Sequence, residues 1–198
     1  MSNSNRQRAR RVVIVGIPGV GKSSVVSKVV DMLNARGKGP LVLNYGTVML
    51  EEAQSCGVKS RDDIRRLSVE KQRSLQVHAA LRISEIEGEF VIVDTHLFIS
   101  TAEGFWPGIP LDVLQALKPT NLILVSAAAN EVLERRQKDQ TRFRDPATIE
   151  SLEKELFAAS AFLYASSAIA GCPALIIDNA EGDIEGAAMR IIDAITSS

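Results

Sequence analysis

Short runs of apolar, largely β-branched residues recur along the chain, separated by longer stretches with apolar positions three and four apart. The runs are RVVIV (11–15), PLVLNY (40–45), FVIVD (90–94), NLILV (121–125) and ALIID (174–178). Their continuity, without polar alternation, predicts buried strands of a parallel sheet. Between them, Val25, Val26, Val29, Val30 and Leu33 keep helical spacing. SVEKQRSLQVHAALRISEIEG predicts a long helix capped by Ser68, with Lys71 in its first turn. Further helices are predicted at 111–117, 129–138, 147–170 and 183–196. The alternation, with no repeat and no interior linker, predicts one α/β domain over residues 1–198: a five-stranded parallel sheet with helices on both faces. The stretch LFAASAFLYASSAIAG in the 147–170 helix is small and apolar, as suits a core helix or one covered by a second subunit.

The first run breaks into a glycine-rich turn, VVIVGIPGVGKSS (Val12–Ser24). Gly16-x-x-x-x-Gly21-Lys22-Ser23 fits the phosphate-binding P-loop, in the required setting of a preceding strand and a following helix. Glycines let backbone N–H groups converge with no Cβ in the way, and the helix directs its positive end at the anion. Gly16, Ile17, Pro18, Gly19, Val20, Gly21, Lys22, Ser23 and Ser24 are therefore read as a cradle for nucleotide phosphates. Lys22 brings a point charge for the β- and γ-phosphates, and Ser23 a hydroxyl for Mg²⁺. FVIVD ends in Asp94, where a carboxylate at a strand terminus can orient Mg²⁺, usually through water. The fold expectation sharpens to the three-layer sandwich of the P-loop NTPases. No Asn-Lys-x-Asp run for reading guanine occurs, which turns the reading from GTPase to phosphotransferase or ATPase.

Composition narrows the partners. A chain of 198 residues with 45% hydrophobic content suits one domain with a sizeable core. The formal net charge of -1 gives no global attraction to nucleic acid or membrane, so neither is expected as a partner. Positive charge is local: Arg6, Arg8, Arg10, Arg11, Lys22 and Lys28 all precede the first acid, Asp31. That suits a small anionic ligand. The Arg-rich start, residues 1–10, is read as a flexible basic tail, because the first strand follows at once. Cys56 and Cys172 make no disulfide framework and no metal pattern, as expected of reduced thiols in a cytoplasmic protein.

ERRQKDQTRFRD (134–145) gathers Arg135, Arg136, Lys138, Arg142 and Arg144. Such a run is either a solvated helix face or an arginine-bearing lid that closes over phosphates, where guanidinium groups match charge spread over equatorial oxygens. It follows a strand and ends in a loop-like Thr141-Arg142-Phe143-Arg144-Asp145-Pro146, so it is read as a short lid at about 137–146.

Taken together, GIPGVGKSS, NYGTVMLEEA, RDDIRRLSVEKQ, VDTHLFIST, GFWPGIP and RRQKDQTRFRD resemble the archaeal-type adenylate kinases, from Val12 to about Ile192. The resemblance implies strand order 2-3-1-4-5, Mg²⁺-dependent transfer from ATP to AMP giving two ADP, a role in adenine nucleotide homeostasis, and homotrimers. It implies that Lys22, Arg135, Arg142 and Arg144 act on the transferring group, and that Ser23 and Asp94 hold the metal. It also implies an AMP-binding arm at about 46–87 carrying Arg61 and Arg65, with Arg65 preferred for the AMP phosphate. Gln72 either reads the adenine of AMP through its amide or lies solvated on a helix face. His96 is expected to orient a phosphate or the arm, and His78 to pack partly buried. Departures from the family pattern fall at Thr47, where many members have Asp, and at Ser100, where many have Lys or Arg. Phe105-Trp106 stands where Tyr-Leu is usual, with Trp106 expected to pack. Rival readings are a kinase for another nucleoside monophosphate and a nucleotide-switched assembly factor, which the basic N-terminus would favour.

Overall fold

Five parallel strands organise the chain, in a computed structural model that describes residues 9–101, 104–139 and 147–197. In chain order the elements are β1 (Arg10–Val15), α1 (Lys22–Ala35), β2 (Leu41–Asn44), α2 (Tyr45–Ser55), α3 (Arg61–Arg65), α4 (Val69–Ser84) and β3 (Phe90–Asp94). There follow β4 (Phe98–Thr101), β5 (Gly104–Pro107), α5 (Leu111–Leu117), β6 (Asn121–Ser126), α6 (Ala129–Lys138), α7 (Ile149–Ala170), β7 (Ala174–Asp178) and α8 (Ile184–Thr196). The sheet runs β2-β3-β1-β6-β7, which is 2-3-1-4-5 counting its members alone, as expected. β4 and β5 form a separate antiparallel hairpin.

Right-handed crossovers assign the helices to faces. The crossover from β1 outward to β2 lays α1 on one face, where it packs on α8. The crossovers in the opposite direction lay α4, α5 and α7 on the other. Chain direction reverses at β1 and β3, which pair with Ile14 beside Asp94. Ligands of open α/β sheets bind at the carboxyl ends of such a pair, and here those ends carry the glycine loop and Asp94.

The three central strands are buried as their sequences predict: Val12 to Val15, Phe90 to Val93 and Leu122 to Val125 are closed to solvent. The two edge strands are not. Leu41, Val42 and Leu175 are exposed, because an edge strand has a neighbour on one side only. The apolar run marks a strand but not its rank in the sheet.

α2 and α3 occupy a segment to which the hydrophobic pattern assigns no helix, α2 beginning at Tyr45, the last residue of the run predicted as a strand. α2 is capped by Asn44, whose Oδ1 accepts from the Thr47 amide at 3.1 Å, and α3 by Ser60, whose Oγ accepts from the Asp63 amide at 3.1 Å. These helices and α4 enclose a small core of their own, Ala53, Ile64 and Leu75, apart from the main one. Tyr45 bridges α2 to α4: its buried hydroxyl donates to the Gln76 carbonyl.

α7 divides the two readings of its apolar sequence between its faces. Leu152, Ala159, Leu163 and Ser166 face the core, while Phe157, Tyr164 and Ile169 stand exposed, Phe157 at 78%. Thr148 and Ser151 close a reciprocal capping box at its start, and Gly171 ends it at a φ of +65°.

Candidate nucleotide-binding site

The glycine loop connects β1 to α1, whose first turn holds Lys22, Ser23 and Ser24 and no acid. Nothing there opposes the positive end of the helix. Gly19 and Gly21 take φ values of +95° and +83°, a region that other residues enter only under strain. Space forbids a side chain as well: a Cβ on Gly21 would lie 2.4 Å from Asn179 Nδ2, and one on Gly19 2.9 Å from Arg136 Cγ.

Alternate carbonyls of the loop are tied from outside. The Gly16 carbonyl accepts from His96 Nδ1 at 3.3 Å, which requires the Nδ1–H tautomer. The Pro18 carbonyl accepts from Arg136 Nε at 2.7 Å. The Val20 carbonyl accepts from Asn179 Nδ2 at 2.8 Å and Arg135 Nη1 at 3.4 Å. In a trans peptide the N–H points opposite to the C=O. Fixing these three carbonyls therefore fixes where the amides of Ile17, Gly19 and Gly21 point.

Lys22 Nζ pairs with Asp94 Oδ1 at the end of β3, both side chains largely buried. From this pair a chain of hydrogen bonds runs to the arm. Asn44 Nδ2 donates to Asp94 Oδ2 at 3.3 Å, Asn44 Oδ1 accepts from the Thr47 hydroxyl at 3.3 Å, and that hydroxyl accepts from Arg61 Nη2 at 3.1 Å. Arg61 is thus joined to the phosphate loop through three side chains. Arg65 is not: its guanidinium is exposed and pairs with Asp62 at 3.0 Å.

The remaining sequence candidates separate. Arg135 and Arg136 lie on the loop through α6, each balanced by an acid: Arg135 by Glu181 at 3.1 Å and Arg136 by Glu155 at 2.8 Å. Arg142 and Arg144 lie outside the described residues, as does most of the segment 137–146. Gln72 Nε2 donates to the Leu67 carbonyl at 2.9 Å and the Arg65 carbonyl at 3.3 Å, so its donors hold the turn between α3 and α4. His78 is exposed rather than partly buried; it lines an open cleft of about 570 Å³ between α4 and α5, with Glu70, Arg73 and Asp112. Trp106 pairs across the hairpin with Ile99, and both side chains are exposed, so the packing expected of Trp106 is not found. Ser100 lies beside them on β4, opposite Phe105.

Asn44 and Asn179 carry no motif signal in the sequence, and Arg136 stands in the arginine run with nothing to mark its contact with the loop. The only signal for Asn179 is its place just past the carboxyl end of an apolar strand. That for Asn44 is a capping residue at a strand–helix junction.

For Mg²⁺ the described residues offer the Asp94 carboxylate beside the loop and the Ser23 hydroxyl at the start of α1. This sparse, all-oxygen donor set fits an ion that keeps its waters and is carried by substrate phosphates. Among the described residues no three His, Cys, Asp or Glu side chains gather into a closed cage.

Comparison with known proteins adds four findings. The AAA domain family matches residues 15–153. The chain is 37% identical over 186 residues to a protein of Methanocaldococcus jannaschii named Adenylate kinase, covering 93% of this chain and 97% of that one. It is 39% identical over 186 residues to one of the same name from Thermoplasma acidophilum, covering 93% and 98%. Among solved structures it resembles shikimate kinase from Bacteroides thetaiotaomicron, with a TM-score of 0.61 over 94% of this chain and 98% of that one. At 14% identity this is a likeness of fold.

Proposed function

The chain belongs to the adenylate kinase family, and from that premise we propose that it transfers the γ-phosphoryl group of ATP reversibly to AMP, giving two ADP. A phosphate oxygen of AMP attacks the γ-phosphorus, and the bond to the bridging oxygen of the leaving ADP breaks, that oxygen keeping the electron pair. The attacking oxygen is already ionised, so no general base is required. The observation that carries the reading is the hydrogen-bonded chain from Lys22 through Asp94, Asn44 and Thr47 to Arg61, which links a donor-phosphate loop to a cationic acceptor arm.

In this reading Lys22 and the loop amides hold the ATP phosphates, and Arg61 and Arg65 serve the AMP side. Arg135, Arg142 and Arg144 stabilise the charge that develops on the transferring group. Ser23 and Asp94 would hold Mg²⁺, which would supply charge neutralisation to the ATP phosphates. Lys22, paired with Asp94 in this structure, would contact the ATP phosphates, and the Asp94 carboxylate would serve the metal.

The assembly proposed is a homotrimer that covers the outer face of α7, where Phe157 and Tyr164, seven residues apart, stand exposed. Among the described residues no helix is long and apolar enough to cross a membrane. We place the protein in the cytoplasm.

The test is a coupled assay of ADP formation with ATP against AMP, CMP, UMP and GMP. AMP should be the preferred acceptor, and Lys22→Ala should lower turnover by roughly a hundredfold or more, the scale for removing a charge that stabilises the transition state. No ADP above the Lys22→Ala background with any acceptor would sink the kinase reading; preference for another acceptor would move it to that nucleotide.

A further inference from the structure

Asn179, the residue after β7, is 2% exposed and holds its side chain against the phosphate loop. Its backbone is already committed: the N–H donates to the Ser126 carbonyl at 2.8 Å, and the carbonyl accepts from Arg135 Nη2 at 3.1 Å. The side chain is therefore not needed to anchor the residue. Its Oδ1 is buried and has no partner among the described residues. A buried acceptor left unpaired weakens a fold, so the amide does not earn its place through Oδ1. What it supplies is the Nδ2 donor, bonded to the Val20 carbonyl at 2.8 Å.

That bond sets the plane of one peptide. The Val20–Gly21 peptide is trans, so a carbonyl drawn toward Asn179 turns the Gly21 N–H to the opposite side. Gly21 caps α1, where an incoming anion meets the helix. Asn179 and Gly21 also fit as a pair, since any side chain at 21 would collide with Nδ2. Arg135 reaches the same carbonyl at 3.4 Å, but it is shared with the Asn179 carbonyl and Glu181, so the amide makes the shorter and more dedicated contact.

We propose that Asn179 is a positioning residue for phosphate binding: from the last strand it orients the Gly21 N–H that receives the phosphate oxygens of a nucleoside triphosphate. The proposal rests on the phosphate-loop reading above and extends it to the far edge of the sheet.

Calorimetric titration of the full chain with ATP, and separately with tripolyphosphate, tests it in wild type, Asn179→Ala and Asn179→Ser, with thermal unfolding alongside. Asn179→Ala should raise Kd for both ligands by about tenfold, the scale of one well-placed hydrogen bond. KM for AMP should stay within about twofold of wild type, because the acceptor arm is not touched. Asn179→Ser keeps a short donor and should recover part of the loss. A lowered Tm with unchanged Kd for ATP at temperatures well below it would mean a structural role only and overturn the proposal. So would an equal rise in KM for AMP. Should Asn179→Ala not fold, Asn179→Leu has nearly the same shape with neither donor nor charge and gives the same comparison. Kd for ATP is read without an acceptor, so failure to phosphorylate AMP would remove the function proposed above and leave this test in force.

Discussion

Tyr45 opens α2 with its ring buried and its hydroxyl bonded to the Gln76 carbonyl. Burial holds its phenol above the ordinary tyrosine range. In the unfolded chain a tyrosine ionises near about pH 10. The folded chain keeps this proton there, so its contribution to stability is complete below about pH 10 and is lost as pH rises through the higher folded value. Tyr45→Phe cannot ionise. It should be less stable at neutral pH by about 1 kcal/mol for the lost hydrogen bond, yet lose less stability than wild type above about pH 10. Urea unfolding across that range is the check, and parallel losses in the two proteins would contradict it. Single residues differ in how far their chemistry shows in sequence. Lys22 and Asp94 are legible because their roles follow from motif spacing and a strand end. Asn44, Arg136 and Asn179 are not, because each acts on backbone or side chains distant in sequence, and only folding brings the partners together.

At the scale of elements, the arm is the informative case. α2, α3 and α4 share a core separate from that of the sheet. α3 has five residues, too few to show a helical period, and α2 carries Gly46 in its first turn, so neither could be read from the hydrophobic pattern. The resemblance prefers Arg65 for the AMP phosphate, whereas the side-chain bonds of these helices argue for Arg61. Arg61 bonds Thr47 and through it Asn44 and Asp94, whereas Arg65 turns to Asp62 in solvent. Arg61→Ala should therefore raise KM for AMP by roughly tenfold or more, as for a charged hydrogen bond to phosphate, and Arg65→Ala by only a few-fold. Steady-state kinetics with AMP varied at saturating ATP decides between them, and the reverse ranking would assign the phosphate to Arg65. The surface pair of Arg65 with Asp62 is too exposed to add much stability on its own.

For the whole molecule, the strands and the position of the loop are legible in the apolar runs and the glycine motif, whereas the sheet order came from the family resemblance alone. Which strands lie at the edges, and which face of α7 meets solvent, depend on neighbours that no local pattern encodes. Phe157 and Tyr164 form an exposed apolar stripe on α7. In the trimer proposed for this chain it is covered, so Phe157→Asp should convert trimer to monomer in light scattering while leaving the unfolding temperature of the monomer nearly unchanged, its side chain being 78% exposed. A Phe157→Asp protein that remains trimeric would place the interface elsewhere.

The three tethered carbonyls of the phosphate loop carry a thermodynamic consequence. Ordering a flexible segment costs about 1–2 kcal/mol per residue in backbone freedom, and a loop that ordered only on binding would take that cost from the affinity of every ligand it received. Here Gly16, Pro18 and Val20 are fastened by side chains from β3's end, α6 and β7's end. The loop's conformational entropy is surrendered once, as the chain folds, and not again each time a nucleotide arrives or leaves.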